Sequence, residues 1–301
     1  MIGLDVAPGP YTQVVGSIAH SALVERVFKD HGVEAVIHAG ALHKPDIACN
    51  PAQAFIDVNI TGTLNLLNAA VTAGNDRFVF TSTTSLMISD AIRAGRAGGA
   101  TQAAWLTEEY GPLEPRNIYG VTKRTAEHLC RLWHRHHGLG VAILRTSRFF
   151  PEDDDTHHDL AGENLKANEF LHRRLTVEDA ARGHLLALDR APALGCETFI
   201  LSAPPPFEHA DSGALINDAP EVIARYFPEA RELYARRGWS LPQSIDRVYV
   251  PHKAERMLGW RAETNFAAVL GALAEDRPMP FTHDPSYLPP HRPFPTARGA
   301  R

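Results

Sequence analysis

Residues 117–129 read NIYGVTKRTAEHL, and this stretch decides how the rest of the chain is read. It opens a helix expected over Ile118–His137. Tyr119 and Lys123 stand four apart, so on that helix they share one face. An ammonium beside a phenol favours the phenolate and lowers the tyrosine pKa toward working pH. Tyr119 is therefore a candidate general base. Taken alone the pair carries little weight, because many helices place a Tyr and a Lys at this spacing by chance.

The stretches upstream change that weight. FVFTSTTS (78–85) runs a strand, Phe78–Thr81, into the hydroxyls of Ser82, Thr83 and Thr84. Those lie at the strand's C-terminal end, where ligands bind in open α/β sheets. A hydroxyl there can hold a substrate oxygen while Tyr119 takes its proton. The plain alternative is a turn rich in Ser and Thr. Earlier, VIHAGALHKP (36–45) places a strand at Val36–His38, followed by the small residues Ala39, Gly40 and Ala41. Small residues let a backbone approach a flat ligand closely. A long helix over Ala52–Thr72 then carries Asn59, Gly62 and Thr63.

The alternation continues outward from these stretches. Met1–Asp5 reads as a short apolar strand ending in an acid, Pro8, Gly9 and Pro10 break the chain, and Thr12–Val15 starts another strand. Ser21–His31 reads as a helix stopped by Gly32, Val141–Leu144 as a strand, Val177–Leu188 as a helix and Thr198–Leu201 as a strand. Strands alternating with helices imply a parallel sheet covered on both faces. Residues 87–116 read as a loop-rich insertion, 203–245 as a smaller lobe of short helices, and 276–301 as an irregular tail.

Composition bounds the function. The 301 residues are 44% hydrophobic and 22% charged, ordinary for a globular protein. A net charge of -5 offers no basic stripe, which argues against nucleic acid and anionic membrane as partners. No apolar run approaches the ~20 residues of a membrane span. The N-terminus lacks the pattern of a signal peptide. Three widely spaced cysteines, Cys49, Cys130 and Cys196, argue for a reducing, cytoplasmic setting rather than a disulfide framework.

The order strand–HAGA, Asn-x-x-Gly-Thr, strand–TSTT and Tyr-x-x-x-Lys, followed by RTSRFF (145–150) and KAERMLGW (253–260), resembles the extended short-chain dehydrogenase/reductase family. Within it, the set resembles the NAD-dependent epimerase/dehydratase branch, from Met1 to about residue 275. The resemblance implies an α/β, Rossmann-type doubly wound parallel sheet over 1–150 with 172–202. It also implies a small substrate lobe over 203–275 with 151–171. It makes Tyr119 the acid/base and Thr83 the catalytic hydroxyl. Lys123 would lower the Tyr119 pKa and hold the nicotinamide ribose. Asp5 would bind the adenosine ribose, which favours NAD over NADP. Ala39, Gly40 and Ala41 would line the cofactor, and Asn59 would support the loop beside it. Thr84 and Arg148 would contact substrate.

The family's first strand and glycine-rich turn, about thirty residues, have no counterpart before Met1. The expectation is an unread upstream segment, Met1 being an internal valine codon taken as a start. The other reading is a degenerate member without catalysis. The expected reaction is transient oxidation of a sugar hydroxyl, nucleotide-linked by family default, completed as epimerisation or dehydration. A reductase or dehydrogenase of a small or steroid-like carbonyl is the alternative. LPQSIDRVYV (241–250) stands where the branch carries a diphosphate-binding segment. Arg148, Arg173, Arg174 and Arg247 either bind phosphate instead or form structural ion pairs. The acidic run Glu152–Asp159 reads as a solvated loop rather than a metal site. The two long helices would form a homodimer contact in this family.

Overall fold

A computed structural model describes residues 1–150, 160 and 162–284. Its elements begin with β1 (Leu4–Asp5), β2 (Val14–Val15), α1 (Ser21–His31) and β3 (Val36–His38). Next come α2 (Ala52–Phe55), α3 (Gly62–Thr72), β4 (Arg77–Thr83), α4 (Asp90–Ala94) and β5 (Ala104–Leu106). The second half of the core holds α5 (Ile118–His137), β6 (Gly140–Thr146), α6 (Gly162–Glu169), α7 (Val177–Leu194) and β7 (Cys196–Leu201). The lobe follows with α8 (Ser212–Asn217), α9 (Ala219–Tyr226), α10 (Ala230–Arg236), β8 (Arg247–Tyr249), α11 (His252–Leu258) and α12 (Phe266–Ala274).

Four strands form a parallel sheet in the order β3-β4-β6-β7. The two-residue period of a strand sorts its side chains to opposite faces. Phe78, Phe80, Val141 and Ile143 point to one layer, where they meet α1, α3 and α5 through Val24, Leu67, Ala126 and Cys130. Val79, Ala142 and Leu144 point the other way, onto Ala180 and Ala187 of α7. Every residue of β6 is buried, as expected for a strand paired on both sides and covered on both faces. The second apolar layer runs on through Val222, Leu233, Trp260 and Phe266, so lobe and sheet share one core.

Capping chemistry sets the helix that matters most. Asn117 accepts a hydrogen bond from the Gly120 amide at the start of α5, and Gly138 closes it in the left-handed region at φ 71°. That is why the expected bounds of α5 and the observed ones coincide.

Three expectations about the elements change. The helix expected over Ala52–Thr72 is α2 and α3 joined by a π-helical turn over Ile56–Thr61. A π turn adds a residue to the backbone ring and commonly sits at functional sites; here it carries the buried Asn59. The insertion is more ordered than a loop, since β5 pairs in parallel with β8, Trp105 against Val248, tying it to the lobe. The sheet is also divided: β1 pairs with β2, and β3 with β4. A cavity of about 140 Å3 lies between these two groups, lined by Ile2, Leu4, Val36 and Ile37 among others. No helix among the described residues is long and apolar enough to cross a membrane.

Candidate active site

The C-terminal ends of β3 and β4 and the first turn of α5 converge. Thr83 ends β4, and its Oγ1 accepts the Ser85 amide at 3.1 Å. The Tyr119 phenol lies close enough for the Thr83 hydroxyl to lower its pKa. Tyr119 is 6% exposed and Lys123, one turn along α5, is 3% exposed. The Lys123 ammonium lies over the Phe80 ring, 4.2 Å from its centroid, a cation–π contact.

The electrostatics correct one expectation. Burial pushes Tyr119 up to about 12, with the Thr83 hydroxyl working the other way and the Asp46 charge adding to the rise. Burial takes Lys123 down to about 7, against the pull of Cys130 and Glu127. Desolvation thus outweighs the pairing expected from spacing, and Tyr119 rests as a neutral phenol.

The loop after β3 is held at both ends. The Leu42 amide donates to Asn59 Oδ1 at 2.8 Å, and Asn59 Nδ2 donates to the Leu42 carbonyl at 3.0 Å and to Thr122 Oγ1 at 3.0 Å. Asn59 therefore ties the π turn, the loop and α5 together. Beyond it, Asp46 Oδ2 accepts the His43 amide at 2.6 Å. This sets the His43 ring beside Tyr119, centroids 5.5 Å apart, with the edge of Phe150 at 5.6 Å. Burial and then the Lys123 charge lower His43 to about 4, so its imidazole is neutral at pH 7. His38, which meets Thr63 Oγ1 at 2.9 Å, is lowered to about 3 for the same two reasons.

Beneath the site lies a network that spacing alone had not singled out. Glu127 is one turn beyond Lys123, on the same face of α5, and fully buried. Arg145 grips it through Nε at 2.9 Å and Nη2 at 2.8 Å, and Ser82 Oγ donates at 2.7 Å. Burial opposes its charge, but the hydrogen bond and charge of Arg145 prevail and the carboxyl lies below its ordinary range.

The remaining expected residues are placed as follows. Thr84 donates to the Thr146 carbonyl at 3.3 Å. Ala39 and Gly40 are exposed and Ala41 half-buried, in the loop leaving β3. Asp5 ends β1 exposed, its Oδ1 accepting the Ala7 amide at 2.8 Å. Arg148 lies 3.5 Å from Glu169, which also holds Arg173 at 3.1 Å and Arg174 at 2.7 Å. Burial opposes the charge of Glu169, and the three guanidinium groups bring it to about 2. Arg247 meets Asp246 at 2.5 Å. Each of these arginines makes an internal ion pair. The stretch Glu152–Asp159 lies outside the described residues.

Comparison with known proteins identifies the family. A family model described as the NAD dependent epimerase/dehydratase family matches residues 5–198. UDP-glucose 4-epimerase of Azospirillum brasilense is 32% identical over 142 residues, which are 47% of this chain and 37% of that protein. dTDP-glucose 4,6-dehydratase of Streptomyces antibioticus is 27% identical over 281 residues, 85% of this chain and 73% of the other. A short-chain dehydrogenase/reductase superfamily protein of Agrobacterium tumefaciens, solved with bound NAD, superposes with a TM-score of 0.60 at 23% identity, covering 91% of this chain and 88% of that one. The model match spans well over half of the sequence, and the chain belongs to the NAD dependent epimerase/dehydratase family.

Proposed function

We propose that this protein oxidises a secondary hydroxyl of a sugar or nucleotide-linked sugar with NAD as hydride acceptor. Epimerisation and dehydration both begin from that oxidation. The observation that carries the reading is the buried Tyr119 beside the Thr83 hydroxyl, with Lys123 one helical turn away, at the C-terminal end of β4.

The residues present suit the nicotinamide end of NAD. The Lys123 amine is buried with its nitrogen over the Phe80 ring, so ribose hydroxyls would complete its hydrogen bonding. Ala39, Gly40 and Ala41 leave an open backbone above β3, and a Cβ on Gly40 would find its nearest atom at 3.6 Å. Asn59 holds that loop, and Asp5 would take the adenosine ribose. Bound NAD supplies hydride acceptance. The chain's own part is to hold the substrate oxygen at Thr83 and Thr84 and to receive its proton at Tyr119 Oη. Charging Lys123 next to Tyr119 would stabilise the phenolate that does so.

A homodimer through α2–α3 and α5 belongs to the same reading, supported by the exposed Ile56 on the π turn joining α2 to α3 and the exposed Val121 on α5. So does a cytoplasmic setting, supported by three unbridged thiols.

The test is turnover of UDP-glucose, dTDP-glucose and L-arabinose with NAD, for the parent chain and Tyr119→Phe. Net oxidation is read as NADH at 340 nm. Epimerisation and dehydration return the hydride to the sugar, so they are read as epimerised or dehydrated product by chromatography. Turnover that Tyr119→Phe lowers at least a hundredfold, with circular dichroism unchanged, is expected. Turnover that survives the substitution would sink the assignment of the base.

A further inference from the structure

Two adjoining cavities lie beyond Phe149 and Phe150, on the side of the lobe. The nearer, about 260 Å3, is walled by Phe149, Phe150, Leu175, Val177 and Phe281, with Arg174 behind them. The farther, about 400 Å3, shares Thr176, Glu178, Phe281 and Thr282 with it and adds Glu263 and Thr264. The groove begins two rings from the candidate base, since Phe150 abuts His43 and His43 abuts Tyr119. Phe281 is fixed as its wall by stacking on Phe170, centroids 5.5 Å apart and planes 29° from parallel.

The lining has a definite chemistry. Threonine hydroxyls and the carboxylates of Glu178 and Glu263 accept hydrogen bonds from hydroxyl groups. Phenylalanine faces cover the C–H faces of a ring. A diphosphate would meet like charge at Glu178, whereas Glu263 is already paired with Arg182, and like charge is a selector against a partner. The guanidinium in the wall is turned inward: Arg174 gives Nη1 to Glu169 at 2.7 Å and Nη2 to the Phe150 carbonyl. Arg173 is on the same carboxylate at 3.1 Å.

We infer that this groove is a subsite for a neutral, polyhydroxylated group, a free sugar or glycoside, rather than for a nucleoside diphosphate. The inference deepens the proposed function, from which it takes the reacting hydroxyl at Tyr119. Binding in the groove does not depend on that reaction.

Saturation-transfer NMR on the full chain with NAD present tests it, with methyl α-D-glucopyranoside, L-arabinose and UDP as probes. The sugar probes are expected to receive saturation, several-fold less in Phe281→Ala and in Glu178→Gln, and UDP none. Circular dichroism checks each variant, and the surface change Glu178→Gln keeps the test open if Phe281→Ala misfolds. UDP binding that Arg173→Gln or Arg174→Gln removes would overturn the inference, and so would no transfer to either sugar. Sugar binding in a parent chain that forms neither NADH nor an epimerised or dehydrated product would refute the proposed reaction and leave the subsite standing.

Discussion

Lys123→Met isolates the buried ammonium. The side chain is 3% exposed, packs on Phe80, and its neighbouring carboxylate Glu127 is already held by Arg145. Burial lowers Lys123 from 10.5 to about 7. Below pH 7 the group is charged both folded and unfolded, and the whole desolvation penalty acts. Between pH 7 and 10.5 the unfolded chain holds a proton that the folded chain has released, so stability rises with pH. At ~1.4 kcal/mol per pKa unit, the 3.5 units between 10.5 and about 7 set a ceiling of about 5 kcal/mol at pH 6. At pH 9 the remaining gap to 10.5 is 1.5 units, or about 2 kcal/mol. Methionine has similar length and no charge, so the variant is expected to be more stable than the parent at pH 6, with an advantage that shrinks by roughly half at pH 9. Urea unfolding followed by circular dichroism at the two pH values measures this. An advantage that does not change with pH, or a loss of stability at pH 6, would refute the assignment of a near-neutral lysine.

Further outcomes follow from other contacts. Asn59→Ala strips the Leu42 amide and carbonyl and Thr122 of their partner and is expected to destabilise by about 1–3 kcal/mol, with NAD affinity falling too; unchanged affinity would separate the loop from the cofactor. Glu127→Ala leaves the 3%-exposed Arg145 without its carboxylate, a loss of about 3–5 kcal/mol by denaturant titration, and one under ~1 kcal/mol would contradict the buried pair. Gly183→Ala would put a Cβ 2.6 Å from Leu201 Cδ1 and 3.1 Å from Trp260 Nε1, so a fall in Tm equivalent to about 1–3 kcal/mol is expected by calorimetry.

The sequence by itself determined the features that depend on near neighbours. Helix α5 could be bounded from its own residues, because a capping side chain and a left-handed glycine act within a turn of the ends they close. Strand β3 and the alternation of strands and helices were legible in the same way, as was the ordered set of motifs that marks the family. Spacing also put Tyr119 and Lys123 on one face of α5. Tertiary structure alone decided how those groups behave. Whether Lys123 lowers Tyr119 depends on how much water each one keeps, and burial by β4 and the loop after β3 reversed the expected direction. Residue type left Arg148, Arg173 and Arg174 open to phosphate or protein, and the packing of α6 brings Glu169 to all three. The π turn under Asn59 and the pairing of β5 with β8 are likewise invisible to local periodicity, because each is selected by contacts far apart in sequence. Charge and hydrogen-bonding capacity are written in the residue types; which partner satisfies them is set by desolvation, and desolvation exists only once the chain has packed.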